Sequence, residues 1–256
     1  ANAAWYAQEP HWLLIEDLTH LRSGDQVIGL SLEESLASVR RMGQLHARFW
    51  LDPALKDHRW LPPHGFWFGQ PKPEIADDFF RTYGTRFGKE VCRLYRAVQE
   101  QSEAIDQAID ARPWTLVHGD LRADNLLFDG DPEDPEAVII DWSWAARSLG
   151  AIDMAFLVGG STPLAQRLGH HDALLQAWHA SLLEGGVRDY PVEEARRDLQ
   201  LSALRAMTAC ETMHSFDRGA ATPVRAALFM DDAIQRHAAY AQELRAWQAL
   251  PDPNGF

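Results

Sequence analysis

Two carboxylates and one amide stand in this chain at spacings suited to moving a phosphoryl group. Asp120 lies within His118-Gly119-Asp120-Leu121-Arg122-Ala123-Asp124-Asn125, and Asp141 lies sixteen residues beyond Asn125, within Val138-Ile139-Ile140-Asp141-Trp142. A carboxylate at Asp120 can accept the proton of an attacking hydroxyl. Asn125 and Asp141 offer hard oxygen donors, the kind Mg²⁺ takes when water and phosphate oxygens complete its shell. Phosphoryl transfer passes through a loose transition state, so a protein contributes mainly position and charge neutralisation. One base and two metal ligands are a sensible minimum for half of such a site. With residue frequencies of a few per cent each, His-Gly-Asp-x4-Asn arises by accident in roughly one chain of this length in a thousand. The acid-rich residues 129–136 have no such specificity and read as a solvated turn.

The elements that must position these groups are short. Trp114-Thr115-Leu116-Val117 is an apolar, β-prone run after Pro113, which predicts a strand feeding the loop 118–124. Leu126-Leu127-Phe128 and Val138-Ile139-Ile140 predict two more strands, joined through 129–136 as a hairpin. In an antiparallel pair the start of the first strand lies beside the end of the second. Asn125 and Asp141 are therefore expected side by side. Upstream, Ser31-Leu32-Glu33-Glu34 is a capping box, with Leu32, Leu36, Val39, Leu45 and Phe49 on one helix face and Pro53 as a stop. His46 on that helix reads as a core or hydrogen-bonded residue, with a substrate contact as the competing reading. Residues 51–73, rich in proline and aromatics, read as an irregular loop that packs over the core or walls a pocket. Residues 79–111 predict mostly helix. Pro163 predicts a helix running to Glu184 and ending at Gly185-Gly186, and Pro191 and Pro223 predict two more, to about Phe216 and Ala249. Glu211, His214 and Asp217 can share one helix face, read here as solvated or structural. His170-His171 has no further ligand at metal spacing.

Composition narrows the class. The chain has 256 residues, 46% hydrophobic and 24% charged, enough for a sizeable core. No apolar run approaches the ~18 residues of a membrane span, and no basic-then-apolar leader opens the sequence. Cys92 and Cys210 lie far apart and suit unpaired thiols in a reducing cytoplasm. A formal net charge of -13 argues against nucleic acid as a partner. It would favour a cationic substrate if the acids line the cleft; plain solubility is the competing reading.

On His118-Gly119-Asp120…Asn125 and Ile140-Asp141-Trp142 the chain resembles the aminoglycoside phosphotransferase and choline kinase-like superfamily, distant relatives of protein kinases. The segment 149–157, Leu-Gly-Ala-Ile-Asp-Met-Ala-Phe-Leu, resembles the family's following Gly-x-x-Asp-Leu-Ala segment. Glu16-Asp17-Leu18, Ser23-Gly24-Asp25-Gln26 and Leu45-His46-Ala47-Arg48-Phe49-Trp50 resemble most the ecdysteroid kinase-like branch. The resemblance implies Asp120 as catalytic base and Asn125 and Asp141 as Mg²⁺ ligands. It implies His118 as a brace of the loop, and Asp153 as an N-cap-like residue that starts a helix and holds the loop. Backbone groups of Glu16, Asp17 and Leu18 would meet the adenine of ATP, in a hinge that ends the strand from Trp12. The implied fold is α+β: the mainly helical large lobe of a protein-kinase-like fold with a short catalytic β-hairpin. Residues 1–18 would be the end of a small lobe and the hinge, and 19–256 the helical lobe.

The family's phosphate lid and small-lobe lysine would precede the hinge. Only eleven residues precede Trp12, none Gly or Lys, and Lys56, Lys72 and Lys89 all follow it. Most of the β-rich small lobe is therefore expected to be absent. The sequence is expected to be a piece of a parent about a hundred residues longer, or a large lobe that no longer catalyses. The leading expectation is a cytoplasmic, ATP- and Mg²⁺-dependent phosphotransferase acting on a hydroxyl of a small molecule. The alternative is a catalytically inactive pseudokinase-like binding or scaffold protein. A metal-dependent phosphohydrolase would need more ligands than these loops offer. Acceptor identity and oligomeric state stay open at this level.

Overall fold

In the computed structural model, which describes residues 14–63, 73–215 and 224–252, the chain opens without regular structure over 14–18. The strand expected there is not formed in those residues: Leu14 and Ile15 are exposed and make no strand pairing among the described residues. Trp12 and Leu13 lie outside the described residues, as do Phe66, Trp67, Phe68, Phe216, Asp217 and Pro223. The two-residue strand β1 (Arg22–Ser23) follows.

Helix α1 (Leu32–Arg48) begins at the capping box: Ser31 Oγ accepts from the Glu34 N–H at 3.1 Å and Glu34 Oε2 accepts from the Ser31 N–H at 2.8 Å. Its deepest face is Ser35, Ser38, Val39, Met42, Gly43 and His46, while Leu32, Leu36 and Leu45 flank it, half-buried. The helix stops at Arg48, before Pro53, and Pro53 instead opens a separate 3₁₀ turn (Pro53–Asp57). The helical stretch 79–111 is divided into α2 (Pro73–Tyr83), α3 (Lys89–Glu100) and α4 (Ser102–Asp110).

Strand β2 (Thr115–Val117) leads into the motif, and β3 (Leu126–Asp131) and β4 (Asp134–Ile139) leave it. The polar residues 129–136 are not a long loop. They are the outer arms of the hairpin, paired to Asp131↔Asp134, with only Pro132 and Glu133 in the turn. The composition looked turn-like because both arms project into solvent. Strand β1 adds to β3, giving the antiparallel order β1-β3-β4, and β5 (Ala146–Ser148) pairs antiparallel with β2.

Helix α5 (Ala151–Ser161) is apolar and buried nearly all round, as a central core helix must be. Pro163 does not start one long helix. A single turn, α6 (Leu164–Arg167), is separated from α7 (His171–Glu184) by Gly169 at φ +82°. Helices α8 (Val192–Ser215) and α9 (Val224–Glu243) follow, and a 3₁₀ turn (Ala246–Ala249) comes after Arg245 in the left-handed region, so α9 ends before Ala249. Helices α8 and α9 pack on α5, and α1 lies against α7 and β4. The result is the mainly helical α+β lobe with a short hairpin that the motifs imply. Both cysteines are free thiols, Cys92 half-buried and Cys210 buried. Among the described residues no helix is long and apolar enough to cross a membrane.

Candidate active site

The loop after β2 is fixed by its own backbone. Gly119 has φ +83°, and a Cβ there would lie 2.2 Å from the Trp144 carbonyl oxygen, so no other residue fits without strain. The N–H groups of His118 and Gly119 both donate to the Asp153 carboxylate, at 2.6 and 3.0 Å. His118 is fully buried. Its Nδ1 accepts from the Asp120 N–H at 3.3 Å, so the ring hydrogen sits on Nε2 and is donated to the Ile140 carbonyl at 2.8 Å. One imidazole thereby joins the loop to the segment that carries Asp141.

Asp153 is not the N-cap of α5. Gly150 holds that position, and Asp153 sits in the first turn with its carboxylate aimed at the loop. Behind it, Trp178 Nε1–H donates to His46 Nδ1 at 3.1 Å, which leaves His46 Nε2–H to face Asp153 Oδ2 at 3.3 Å. Burial alone would raise the Asp153 pKa, but the hydrogen bonds from His46 and the loop outweigh it and hold the carboxyl below its usual range. A buried polar network with its partners in place is rigid.

Asp120 is half-buried at the mouth of the loop. Burial pushes its pKa up, opposed by the Arg122 guanidinium, whose Nε lies 3.3 Å from Asp120 Oδ2. Asn125 is buried, and its Nδ2 donates to the main-chain oxygen of Asp120 at 2.8 Å and to Oδ2 at 3.2 Å. That use of the amide nitrogen leaves Oδ1 as the atom suited to a metal. The hairpin register pairs Leu126 with Ile139, and the Asn125 carbonyl accepts the Ile140 N–H at 3.0 Å. Asp141 therefore follows directly on the residue bonded to Asn125.

Asp141 is exposed and stands at φ 59°, ψ 70°, a left-handed conformation uncommon for a non-glycine residue. Its Oδ1 accepts from Ser143 Oγ at 2.7 Å, and this hydrogen bond lowers its pKa. An ionised, accessible carboxylate held off the regular backbone path suits a hard cation. Among the described residues no three His, Cys, Asp or Glu side chains group as a metal site. Mg²⁺ does not require one, since it takes one or two protein oxygens and completes its shell with water and phosphate. The pair Asn125 and Asp141 fits that pattern.

Two residues act here that motif reading gave no role. Arg122 reaches from Asp120 to Asp124, with Nη1 2.7 Å from Asp124 Oδ2. A cation two positions after the candidate base was the available signal. Gln26 is 98 positions before Asp124 in sequence, yet its N–H donates to Asp124 Oδ1 at 3.0 Å. Its buried Oε1 accepts from the Ala123 N–H and from Ser161 Oγ, both at 2.8 Å, and its Nε2 donates to the Gly160 carbonyl at 2.8 Å. No local pattern could assign Gln26 that place. Next to it, Gly24 donates its N–H to the Leu126 carbonyl at 2.9 Å.

No hydrogen bond among the described residues joins Glu16, Asp17 or Leu18 to this cluster. Glu16 and Asp17 are exposed, Asp17 Oδ1 caps Thr19, and the Leu18 carbonyl already accepts the Leu21 N–H. Glu211 and His214 are buried rather than solvated, bonded to Gln99 and Asp78.

Residues 73–187, which include the loop, Asp141 and Asp153, match the ecdysteroid kinase-like family. Among solved structures the chain is similar to a choline/ethanolamine kinase family protein from Mesorhizobium loti. Identity is 12% and the TM-score 0.53, over 95% of this chain and 76% of that one. It is also similar to Plasmodium vivax ethanolamine kinase, at 11% identity and TM-score 0.51, over 91% of this chain and 65% of that one. At such identities the likeness is one of fold, and the fold is the kinase-like one that the motifs imply. No curated protein matches the chain.

Proposed function

We propose that this chain is the helical lobe of an ATP-dependent phosphotransferase that acts on a hydroxyl group of a small molecule. The observation that carries this reading is the Asn125 amide. It donates to Asp120 through its side chain while its main chain accepts from Ile140, so base, amide and the residue before Asp141 form one block. The match over residues 73–187 and the kinase-like fold support it.

In this reading Asp120 accepts the proton of the acceptor hydroxyl as the hydroxyl oxygen bonds to the γ-phosphorus of ATP and the bond from that phosphorus to the β-phosphate oxygen breaks, releasing ADP. Burial makes it a stronger base than an ordinary carboxylate, and Arg122 and Asn125 orient it. Asn125 Oδ1 and Asp141 would hold Mg²⁺, which when bound neutralises phosphate charge. Asp153 and His118 keep the loop in register with the hairpin. Residues 1–18 are proposed as the end of a small lobe and hinge, with backbone groups of Glu16, Asp17 and Leu18 offered to adenine. Cytoplasmic location is part of the same proposal and rests on the two free thiols.

The test is Mg-ATP consumption by the full-length protein over choline-like amines, aminoglycosides, sterol-like alcohols and sugars. Asp120→Asn should lower turnover by about 10²–10⁴-fold while nucleotide still binds. Near-normal turnover in that variant would reject the assignment.

A further inference from the structure

We propose that a cavity at the far end of the β2–β5 pair from the catalytic loop is a binding site for inorganic phosphate. Strand β2 runs from Thr115 toward His118, and the register pairs Thr115 with Ser148 and Val117 with Ala146. The cavity, about 250 Å³, opens beside Trp114 and Ser148, so it lies at the end remote from His118. No residue of the catalytic loop and neither Asp141 nor Asp153 lines it.

Its lining is rich in donors. Lys56, Arg112, Arg147 and Ser148 face it, with Asp110 as the single carboxylate. Arg112 is already neutralised by Glu194 and Asp198. Lys56 and Arg147 have no carboxylate partner among the described residues. The Lys56 ammonium lies 5.0 Å from the Trp114 ring centroid, and Arg147 Nε only reaches the Leu61 carbonyl at 3.4 Å. Ser148 is 5% exposed, and its Oγ has no hydrogen-bond partner among the described residues. Two cations with no carboxylate partner among the described residues line one cavity, in a chain of net charge -13.

Phosphate fits better than other anions because of Asp110. The hydrogen phosphate dianion has several acceptor oxygens for Lys56 and Arg147, and keeps one P–O–H that can donate to a carboxylate. Sulfate has the same shape and charge but no proton, so it would meet Asp110 as a like charge.

The experiment is calorimetric titration of the whole protein with inorganic phosphate, methyl phosphate and sulfate. It is done at matched ionic strength and in EDTA, so that no metal at Asn125 and Asp141 recruits phosphate. Saturable binding of inorganic phosphate is the expected result, with sulfate and the methyl phosphate dianion, neither of which has a proton for Asp110, each weaker by about tenfold or more. Methyl phosphate binding as tightly as phosphate would overturn the role given to Asp110. Lys56→Gln, on an exposed turn where folding is not at stake, and Arg147→Gln should each weaken binding about tenfold. Asp110→Asn should shrink the preference over sulfate. Equal binding of sulfate, or undiminished phosphate binding in Lys56→Gln and Arg147→Gln, would overturn the proposal. So would loss of binding in Arg122→Gln alone, since that places the anion at the catalytic loop.

Discussion

Asp120 is pulled in two directions, upward by burial and downward by the guanidinium of Arg122. Only the ionised form can take a proton, so with Asp120 as the proposed base activity is expected to fall as pH drops through its pKa. Removing the cation in Arg122→Gln should move that acid limb of kcat/KM to higher pH. A limb that stays in place would mean that Arg122 does not act on the base. Glu211 gives a second pH signature, in stability. It is buried, its Oε2 has no hydrogen-bond partner among the described residues, and burial pushes its pKa from 4.5 up to about 7. A raised carboxyl favours the folded state while protonated, so its contribution is present below pH 4.5 and is lost as pH rises through about 7. Glu211→Gln cannot ionise. It should raise Tm over the parent at pH 8 and match it near pH 5, and equal melting at both pH values would contradict the burial argument.

At the scale of elements, the β2-to-β3 loop depends on one backbone geometry. Gly119→Ala would place a methyl group against the Trp144 carbonyl in a conformation that L-residues resist. It should cost about 1–3 kcal/mol or displace the loop, measured as a drop in chemical-denaturation midpoint. An unchanged midpoint with normal activity would show the loop to be softer than drawn. The local devices were legible in the sequence. The Ser31–Glu34 cap, strand β2 and the Asn125-to-Asp141 hairpin each depend on residues close in sequence or on a strong apolar pattern. What failed to show were features decided at long range or by a single dihedral. The arms of β3 and β4 carry polar side chains because solvent covers them, so composition imitated a loop. Gly169 broke an expected helix through its positive φ, which no periodicity reports. The three-residue β5 is a strand only because β2 lies beside it.

At the scale of the whole molecule, distant segments meet behind the loop. Arg236 of α9 donates to the carbonyls of Gln26 and Val27, and Gln26 in turn holds Ala123 and Asp124. The N-terminal segment, the loop and the last long helix are thus joined through one glutamine 2% exposed. The role of Gln26 was not readable in advance, because its partners lie 97 and 135 positions away.

The carboxylate of Asp153 belongs to α5 and grips the His118 and Gly119 amides directly. The loop therefore cannot breathe apart from the centre of the molecule. Those two amides should exchange with deuterium as slowly as the interior of α5, although they belong to a loop. Exchange at the pace of an ordinary loop would show them unlatched. If they are slow, any closing around substrates must be the work of segments outside this block, which itself serves as the fixed anvil.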